Sequence, residues 1–557
     1  MRLWWLLPIS ADALPLALEH EKAASFANAS ALACAWENYQ RKAKREVGHW
    51  SPRSKLAVAD GFGFQEAFSE LPSTGSAIAL YAAHDSSIAI SLDGRILCVL
   101  ELERLFGVRY FWPPLEASRG IWLQALHAVR QRCSCESLPA SFDYGAVVLF
   151  SGDPFTDRLE YSRLPLIVQE VFAVRQWRLV DHHEAHARMG FYSSPFTSAM
   201  VVSYDGGGND GVFNVYLGQG KRLFRLGKLG VDMGVRYKTL GAMMTEISTR
   251  RVDWGCKNFI SMAGEDLSPK TLLDMGKLDF SLMIDDLTWA GKLMAYAALG
   301  SSQAHLEELV AWYYRSPEGA HRMPAGLVRA CCESLEGQRA VAVAAQAQFE
   351  SYALHLVREL LGELSDLGLS QPEGLVLTGG CALNVLANQR IEDFLDDALE
   401  QPMALYVPAA PNDSGLTVGG VWSMVPPQGR QGSQALQYVG FKLWDEDGLE
   451  AAAAAWGAVP LSSVGGVDYL AQLLVRPERP VVAVVRGRQE FGPRALGHRS
   501  LLAVPDSLEM KDRMNRLKAR QWFRPVAPMI AEEALPEVFG RPARSPYMSM
   551  APRVREE

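Results

Sequence analysis

Residues 179–215, LVDHHEAHARMGFYSSPFTSAMVVSYDGGGNDGVFNV, constrain this chain more than any other stretch. The first half has helical character, and a spacing of four puts His182 and His186 on one face, one turn apart, where both imidazoles can reach one metal ion. The second half is an apolar run, 199–204, that breaks on Asp205, Gly206, Gly207 and Gly208 and resumes over 212–217. That pattern predicts a strand, a glycine turn and a returning strand, with a carboxylate at the tip. A carboxylate beside two imidazoles makes a mixed O and N donor set that suits Fe(II), Mn(II) or Zn(II). The bare glycine N–H groups can also meet a phosphate. A surface His pair beside an ordinary hairpin fits the same pattern equally well, because two imidazoles without a third ligand do not define a site.

At 557 residues the chain has room for two to four domains and a large core. Its net charge of −8 disfavours nonspecific attraction to nucleic acid or anionic membranes, so such a role would have to rest on a local patch. No apolar run approaches the ~18 residues of a membrane span. The opening MRLWWLLPIS makes a poor secretory signal, because Asp12, Glu19 and Glu21 follow closely. Cys34, Cys98, Cys133, Cys135, Cys256, Cys331, Cys332 and Cys381 are scattered without C-x-x-C units, as expected of a reduced, cytoplasmic chain.

Residues 1–75 read as a mostly helical extension. From Ser76 three β-patterned runs follow, AIALYAA, IAISL and RILCVLELE, separated by His84-Asp85-Ser86-Ser87 and by Asp93-Gly94. This is an antiparallel meander, and the polar break at His84 is where an actin-like nucleotide-binding fold places a phosphate loop. A plain meander occurs in many other folds. A helix is expected over 117–133, a buried strand over 144–150, a loop leading into a helix over 288–300, and a long helix over 340–364.

The junction GLVLTGGCALNVLANQRI runs a buried strand, 375–377, into Gly379-Gly380 and a helix bearing Asn384 and Asn388. Its N-terminal N–H groups favour an anion, and a ligand-free tight turn explains the sequence as well. Asp413 in APNDSG is open to two roles, further metal ligand or helix N-cap, of which the cap is the commoner. Residues 426–440, rich in Gly, Gln and Pro, read as a linker. Beyond a strand over 481–485 lie ten Arg and Lys between Arg486 and Arg524, in a chain that is acidic overall. Interleaved with glycine and proline, they read as a pocket for a polyanionic small molecule, with a solvated basic face or an RNA patch as the alternative.

Taken together, AAHDSS (82–87), ELER (101–104), DHHEAHA (181–187), YDGGGNDG (204–211), AGKLMAYAALG (290–300), LTGGCALNVLAN (377–388), APNDSG (410–415), GRQEFGPRALGHRSLLAVP (487–505) and NRLKARQWFRPVAPMI (515–530) resemble one family. It is the O-carbamoyltransferases of antibiotic tailoring and nodulation-factor modification, and the resemblance runs in order over roughly residues 76–551. It implies an α/β enzyme in two parts. Residues 76–425 would form an actin-like (ASKHA) domain similar to the threonylcarbamoyl transferases, and residues 441–557 a smaller YrdC-like domain that activates the carbamoyl group.

Carried over position by position, the resemblance implies a divalent ion, iron(II) first, held by His182, His186, Asp205 and Asp413. Gly206, Gly207, Gly379, Gly380 and Asn384 would contact an adenylate, and His84 would sit at the transfer centre. Arg494, Lys518, Arg520 and Arg524 would hold phosphates, with Lys518 and Arg520 forming a K-x-R element. The implied substrates are carbamoyl phosphate, ATP with Mg(II) and a hydroxylated small molecule, with no nucleic acid or membrane as partner.

The chain departs from the family at Phe106-Gly107-Val108-Arg109, where a basic run ending in Lys-His is usual. The family also continues with DGTARVQ-like and NTSFN stretches that give the K-x-R element an S-x-N partner, so the activating part is expected to be incomplete at its C-terminus. The rival from another class is a non-catalytic nucleotide-binding or assembly protein on the same fold. A zinc-protease reading of HHEAH fails, because Glu184 stands second after His182 and not first.

Overall fold

The structure, a computed structural model, describes residues 65–66 and 71–555, apart from 114–117, 134–137, 151–162, 249–286, 316–322, 367–369, 429–431, 433, 444–445 and 541–544. The helical extension expected over 1–75 lies almost wholly outside the described residues.

The expected meander forms. β2 (Ser76–Tyr81) is buried at every position, as its unbroken apolar run requires, and pairs antiparallel with β3 (Ser87–Leu92), which pairs with β4 (Arg95–Glu101). On the other side of β2, β5 (Ser141–Val148) and β6 (Ala173–Val180) add in parallel, giving the order β4-β3-β2-β5-β6.

A second sheet repeats the pattern. β7 (Ser198–Gly208), β8 (Gly211–Gln219) and β9 (Arg222–Lys228) form the meander, and β10 (Gly374–Thr378) and β11 (Ala404–Tyr406) extend from β7 in parallel. A two-residue strand, β1 (Gln65–Glu66), lines the β9 edge. Two sheets, each ordered third-second-first-fourth-fifth, are the duplicated actin-like topology that the motifs implied.

In each lobe the fifth strand feeds a helix that returns to the lobe boundary: α1 (His182–Ser193) after β6, and α4 (Leu416–Trp422) after β11. The second lobe adds a long helix, α2 (Leu335–Asp366), before β10, and α3 (Val385–Asp397) before β11. A Cβ on Gly419 would stand 1.8 Å from the Ala185 carbonyl oxygen, so only glycine lets α4 lie this close on the backbone of α1. The buried Ala185, Met189, Leu416, Val418 and Val421 share one core there with β2 and β5.

Three expectations are corrected. The glycines after Asp205 do not turn: β7 continues through them, Gly208 faces Gly211, and a bulge between Tyr204 and Gly208 absorbs the irregularity. Asp205 therefore sits in the bulge and Asp210 at the tip. Residues 426–440 are a packed strap and not a free linker, because Leu436 and Val439 are buried in the interlobe core and the Gln434 amide brackets the Ile96 backbone at 2.9 and 2.7 Å. Cys98 on β4 is disulfide-bonded to Cys133, against the reading of these thiols as reduced.

The C-terminal part pairs β12 (Val482–Val485) with β13 (Arg499–Leu502) and carries the helix α5 (Leu508–Leu517). It docks through Phe491, which is fully buried in the interlobe core, and Phe523, which joins the core of the second lobe beside Tyr296. Among the described residues, no helix is long and apolar enough to cross a membrane.

Candidate metal centre

The duplicated fold brings equivalent positions face to face. His182 opens α1, and Asp413 stands in the turn that leads into α4, its counterpart in the second lobe. His84 follows the first strand of one meander, and Asp205 ends the regular part of the first strand of the other. Both lobes thus contribute two residues to one point.

His182, His186, Asp205 and Asp413 each direct a donor atom to that point, all within 4.8 Å of one another. The two Nε2 atoms are 3.2 Å apart. Asp413 Oδ1 lies 3.5 Å from His182 Nε2 and 3.4 Å from His186 Nε2, and Asp205 Oδ2 lies 3.2 Å from His186 Nε2. Asp413 makes no side-chain cap, so of its two open roles the geometry realises the one in the cluster. Asp205 is held by the Gly380 N–H on Oδ2 (2.7 Å) and the Gly206 N–H on Oδ1. The Leu149 carbonyl, 3.3 Å from His182 Nδ1, favours the tautomer that leaves Nε2 free to ligate.

Burial disfavours charge on His186, yet the two carboxylates outweigh it and raise its pKa to about 9. Burial would raise both carboxyls, and Asp413 would raise Asp205 further, but the imidazoles hold Asp205 below the usual range and Asp413 well below it. Two carboxylates, Asp413 buried and Asp205 half-buried, that draw a proton onto a neighbouring imidazole form a cation-seeking set. Two N and two O donors, converging and oriented, fit a divalent transition metal.

His183 is a different case. Its ring is spent on Ser203 Oγ (2.7 Å) and the Gly211 carbonyl (2.9 Å), and burial lowers its pKa to about 4. His84 borders the cluster, with Nε2 3.6 Å from Asp413 Oδ2 and Nδ1 2.9 Å from Asp85 Oδ2. Burial opposes its charge, but Asp413, Asp85 and Asp205 prevail and raise its pKa to about 9. Asp85 holds φ 59°, a left-handed conformation a non-glycine residue seldom adopts, which aims its carboxylate at His84.

The glycines assigned to an adenylate lie around Asp205, but their polar groups are partly engaged. The Gly379 N–H donates to the Pro411 carbonyl, and those of Gly206 and Gly380 donate to Asp205, while Gly207 is unobstructed. Asn384 caps α3 by accepting from the Ala387 N–H and exchanges hydrogen bonds with Gln346. Arg494 reaches the Leu383 carbonyl at 3.5 Å and lines a small cleft with Pro408 and Tyr547. Arg520 braces its own loop through Asn515 Oδ1 (2.6 Å) and the Pro525 carbonyl (2.8 Å). Burial and the charges of Arg520, Arg109 and Arg494 lower the Arg524 pKa to about 10.

Sequence reasoning missed Tyr81, whose hydroxyl donates to Asp413 Oδ2 at 2.6 Å, and the role of Asp85 as partner of His84. For Asp85 the signal was its adjacency in AAHDSS. For Tyr81 there was none, since a tyrosine ending a strand is ordinary.

Two family models and several relatives match the chain. A family model described as "Carbamoyltransferase N-terminus" matches residues 168–421, and one described as "Carbamoyltransferase C-terminus" matches 471–557. Nodulation protein U of Bradyrhizobium diazoefficiens is 28% identical over 84% of this chain and 80% of its own length. Nodulation protein U of Rhizobium tropici is 36% identical, over 49% of this chain and 48% of its own length. The 3'-hydroxymethylcephem-O-carbamoyltransferase of Streptomyces clavuligerus is 34% identical over 48% of this chain and 49% of its own. The match thus spans about half the length of two of these relatives. Among solved structures, T. kodakarensis HypF aligns with a TM-score of 0.38 and 15% identity, over 65% of this chain and 49% of that one. With one family model covering residues 168–421, among which all four converging donors lie, and its companion covering the arginine-rich part, the chain belongs to the carbamoyltransferase family.

Proposed function

We propose that the protein is an ATP-dependent O-carbamoyltransferase acting on a hydroxyl of a small-molecule natural product. The observation that carries this reading is the convergence of His182, His186, Asp205 and Asp413 beside a His84 oriented by Asp85. In the reaction, carbamoyl phosphate loses inorganic phosphate to water and leaves carbamate. A carbamate oxygen attacks the α-phosphorus of Mg(II)-bound ATP and pyrophosphate departs, giving carbamoyl-adenylate. The acceptor hydroxyl oxygen then attacks the carbamoyl carbon, AMP leaves with the electrons of the broken C–O bond, and the hydroxyl proton passes to Nε2 of neutral His84, a form that becomes the major one only above about pH 9.

Asp85, bonded to Nδ1, keeps Nε2 facing the reacting hydroxyl and stabilises the imidazolium that forms. The donor set suits iron(II), and a bound ion there supplies a Lewis acid that draws charge from the carbamoyl carbonyl. Arg494, Lys518, Arg520 and Arg524 serve the phosphates of the first stage. A hydroxyl acceptor accords with the relative whose name gives it O-carbamoylation of a hydroxymethyl group.

The test is to incubate the chain with carbamoyl phosphate, Mg-ATP and a panel of hydroxylated natural products, and to measure AMP and pyrophosphate. Release that depends on carbamoyl phosphate, with carbamate ester formed, is the expected result. Nucleotide binding without turnover on any acceptor would move the chain to the non-catalytic class.

A further inference from the structure

We propose that Asn209 and Asp210, at the tip of the β7–β8 hairpin, are positioning residues of the metal centre: they cap α1 from outside it and so set where His182 and His186 stand against Asp205. This deepens the function proposed above and rests on the metal centre in it. Neither residue offers a donor to the cluster, and their effect on it passes through the helix.

A helix leaves its first N–H groups without partners of its own, and the side chain just before it commonly supplies the cap. Asp181 stands in that place with an extended backbone, φ −66° and ψ 147°, yet its side chain makes no cap hydrogen bond. Its Oδ1 accepts instead from the Asn209 amide at 2.7 Å. The same amide turns its oxygen to the His182 N–H at 2.8 Å, and Asp210 Oδ1 accepts from the His183 N–H at 3.0 Å. The N–H groups that open α1 are thus satisfied by a hairpin of the second sheet, although the helix follows the last strand of the first.

The tip is itself fixed. Asp210 is buried, its Oδ2 accepts from Asn214 Nδ2 at 3.0 Å, and its carbonyl accepts from Arg225 on β9 at 3.3 Å. From the helix side, the His183 ring reaches Ser203 Oγ on β7 and the Gly211 carbonyl on β8, so it ties α1 to both arms of the hairpin. The hairpin backbone also lies against the first ligand, since a Cβ on Gly208 would come within 2.8 Å of the His182 side chain. Apolar contacts along α1 are non-directional, whereas hydrogen bonds to its end fix where it starts. Asp205 stands on the same hairpin, with Oδ2 3.2 Å from His186 Nε2. A helix released from the tip would part both imidazoles from Asp205, and three of the four donors would lose their register.

The experiment is titration of the full chain, stripped of metal by a chelator, with Co(II), whose visible absorption reports both occupancy and coordination geometry. Wild-type protein should bind it, and Asp210→Ala should bind it about ten- to a hundredfold more weakly, with shifted bands, as loss of support behind a ligand does. Asp210→Asn keeps an oxygen for the His183 N–H and should recover most of both. Asn209→Ala should weaken binding in the same direction and serves in place of Asp210→Ala if that variant does not fold. Val357→Ala, in the second-lobe core outside α1 and the hairpin, should lower Tm yet leave affinity and bands at wild type. Wild-type protein that takes no Co(II), or tip variants that lose Tm but keep affinity and bands, overturn the proposal, and the tip then only caps a helix. Co(II) binding that depends on the tip, in a chain that carbamoylates nothing, would keep this inference and remove the function above. Carbamoyl transfer by a chain whose Co(II) site ignores the tip would do the reverse.

Discussion

Tyr81 determines which oxygen of Asp413 faces the histidines. Its hydroxyl occupies Oδ2 at 2.6 Å, leaving Oδ1 towards His182 and His186. A carboxylate fixed this way presents one oxygen in one direction, which is what a four-donor centre needs if it is not to rearrange when loaded. His182→Ala and Asp205→Asn each remove a primary donor and are expected to abolish retention of metal through purification. Tyr81→Phe keeps all four donors and loosens one, so its affinity should fall about ten- to a hundredfold. Metal analysis of the purified variants and competition with a chelator measure both effects, with a circular-dichroism melt to show that the fold survives. Full metal content in His182→Ala would remove His182 from the centre. An unchanged Tyr81→Phe affinity would make that hydrogen bond a packing detail.

At the scale of elements, the site depends on how closely the ends of β7 and β10 approach. Gly379 has φ 89°, and a Cβ there would stand 2.2 Å from the Tyr204 carbonyl oxygen, whereas a Cβ on Gly207 would meet nothing within 4 Å. Gly379→Ala should therefore destabilise the fold by about 1–3 kcal/mol from backbone strain alone, with the clash in addition, while Gly207→Ala costs little. Denaturant unfolding of the two variants side by side checks this, and equal losses would show that the approach is not tight. The same geometry explains what the sequence disclosed. β2, β3, β4 and α2 were legible because their apolar runs have the right length and period. The turn after β7 was misplaced because glycine fits an extended strand as readily as a turn, so GGG marks permission and not conformation. His182 and His186 could be paired from spacing, but Asp413 needed the family resemblance, since ahead of a helix an aspartate is as natural a cap as a ligand.

At the scale of the molecule, the two parts are joined by buried charge, and this makes the joint responsive to pH. Burial raises the Glu101 pKa to about 7, despite Arg104, Arg499 and the Gly492 N–H. A carboxyl raised in the folded state holds a proton that the unfolded chain has released, so its contribution is complete below about 4.5 and is lost as pH rises through 7. Glu101→Gln, which cannot titrate, should gain Tm relative to wild type as pH goes from 5 to 8, and a constant difference would show that Glu101 is ionised throughout. The last prediction concerns the division of labour that the joint permits. If the C-terminal cations serve only activation and His84 only transfer, one variant of each kind should fail at one stage and pass the other. Arg520→Ala is a poor choice, because Arg520 also holds Asn515 and the Pro525 carbonyl and its loss would disturb the loop. Among the described residues Arg524 has no such brace, and burial and the charges of Arg520, Arg109 and Arg494 lower its pKa to about 10. Arg524→Ala should therefore slow formation of carbamoyl-adenylate about ten- to a hundredfold, the value of one charge-assisted phosphate contact, and leave transfer from supplied carbamoyl-adenylate near wild type. His84→Ala should slow that transfer about 10²- to 10⁴-fold and leave adenylate formation alone. Single-turnover measurement of each stage, with radiolabelled carbamoyl group, reads the two rates separately. If both variants lose both stages together, the reaction is a single coupled event at the joint, and the carbamoyl group is never handed from one site to the other.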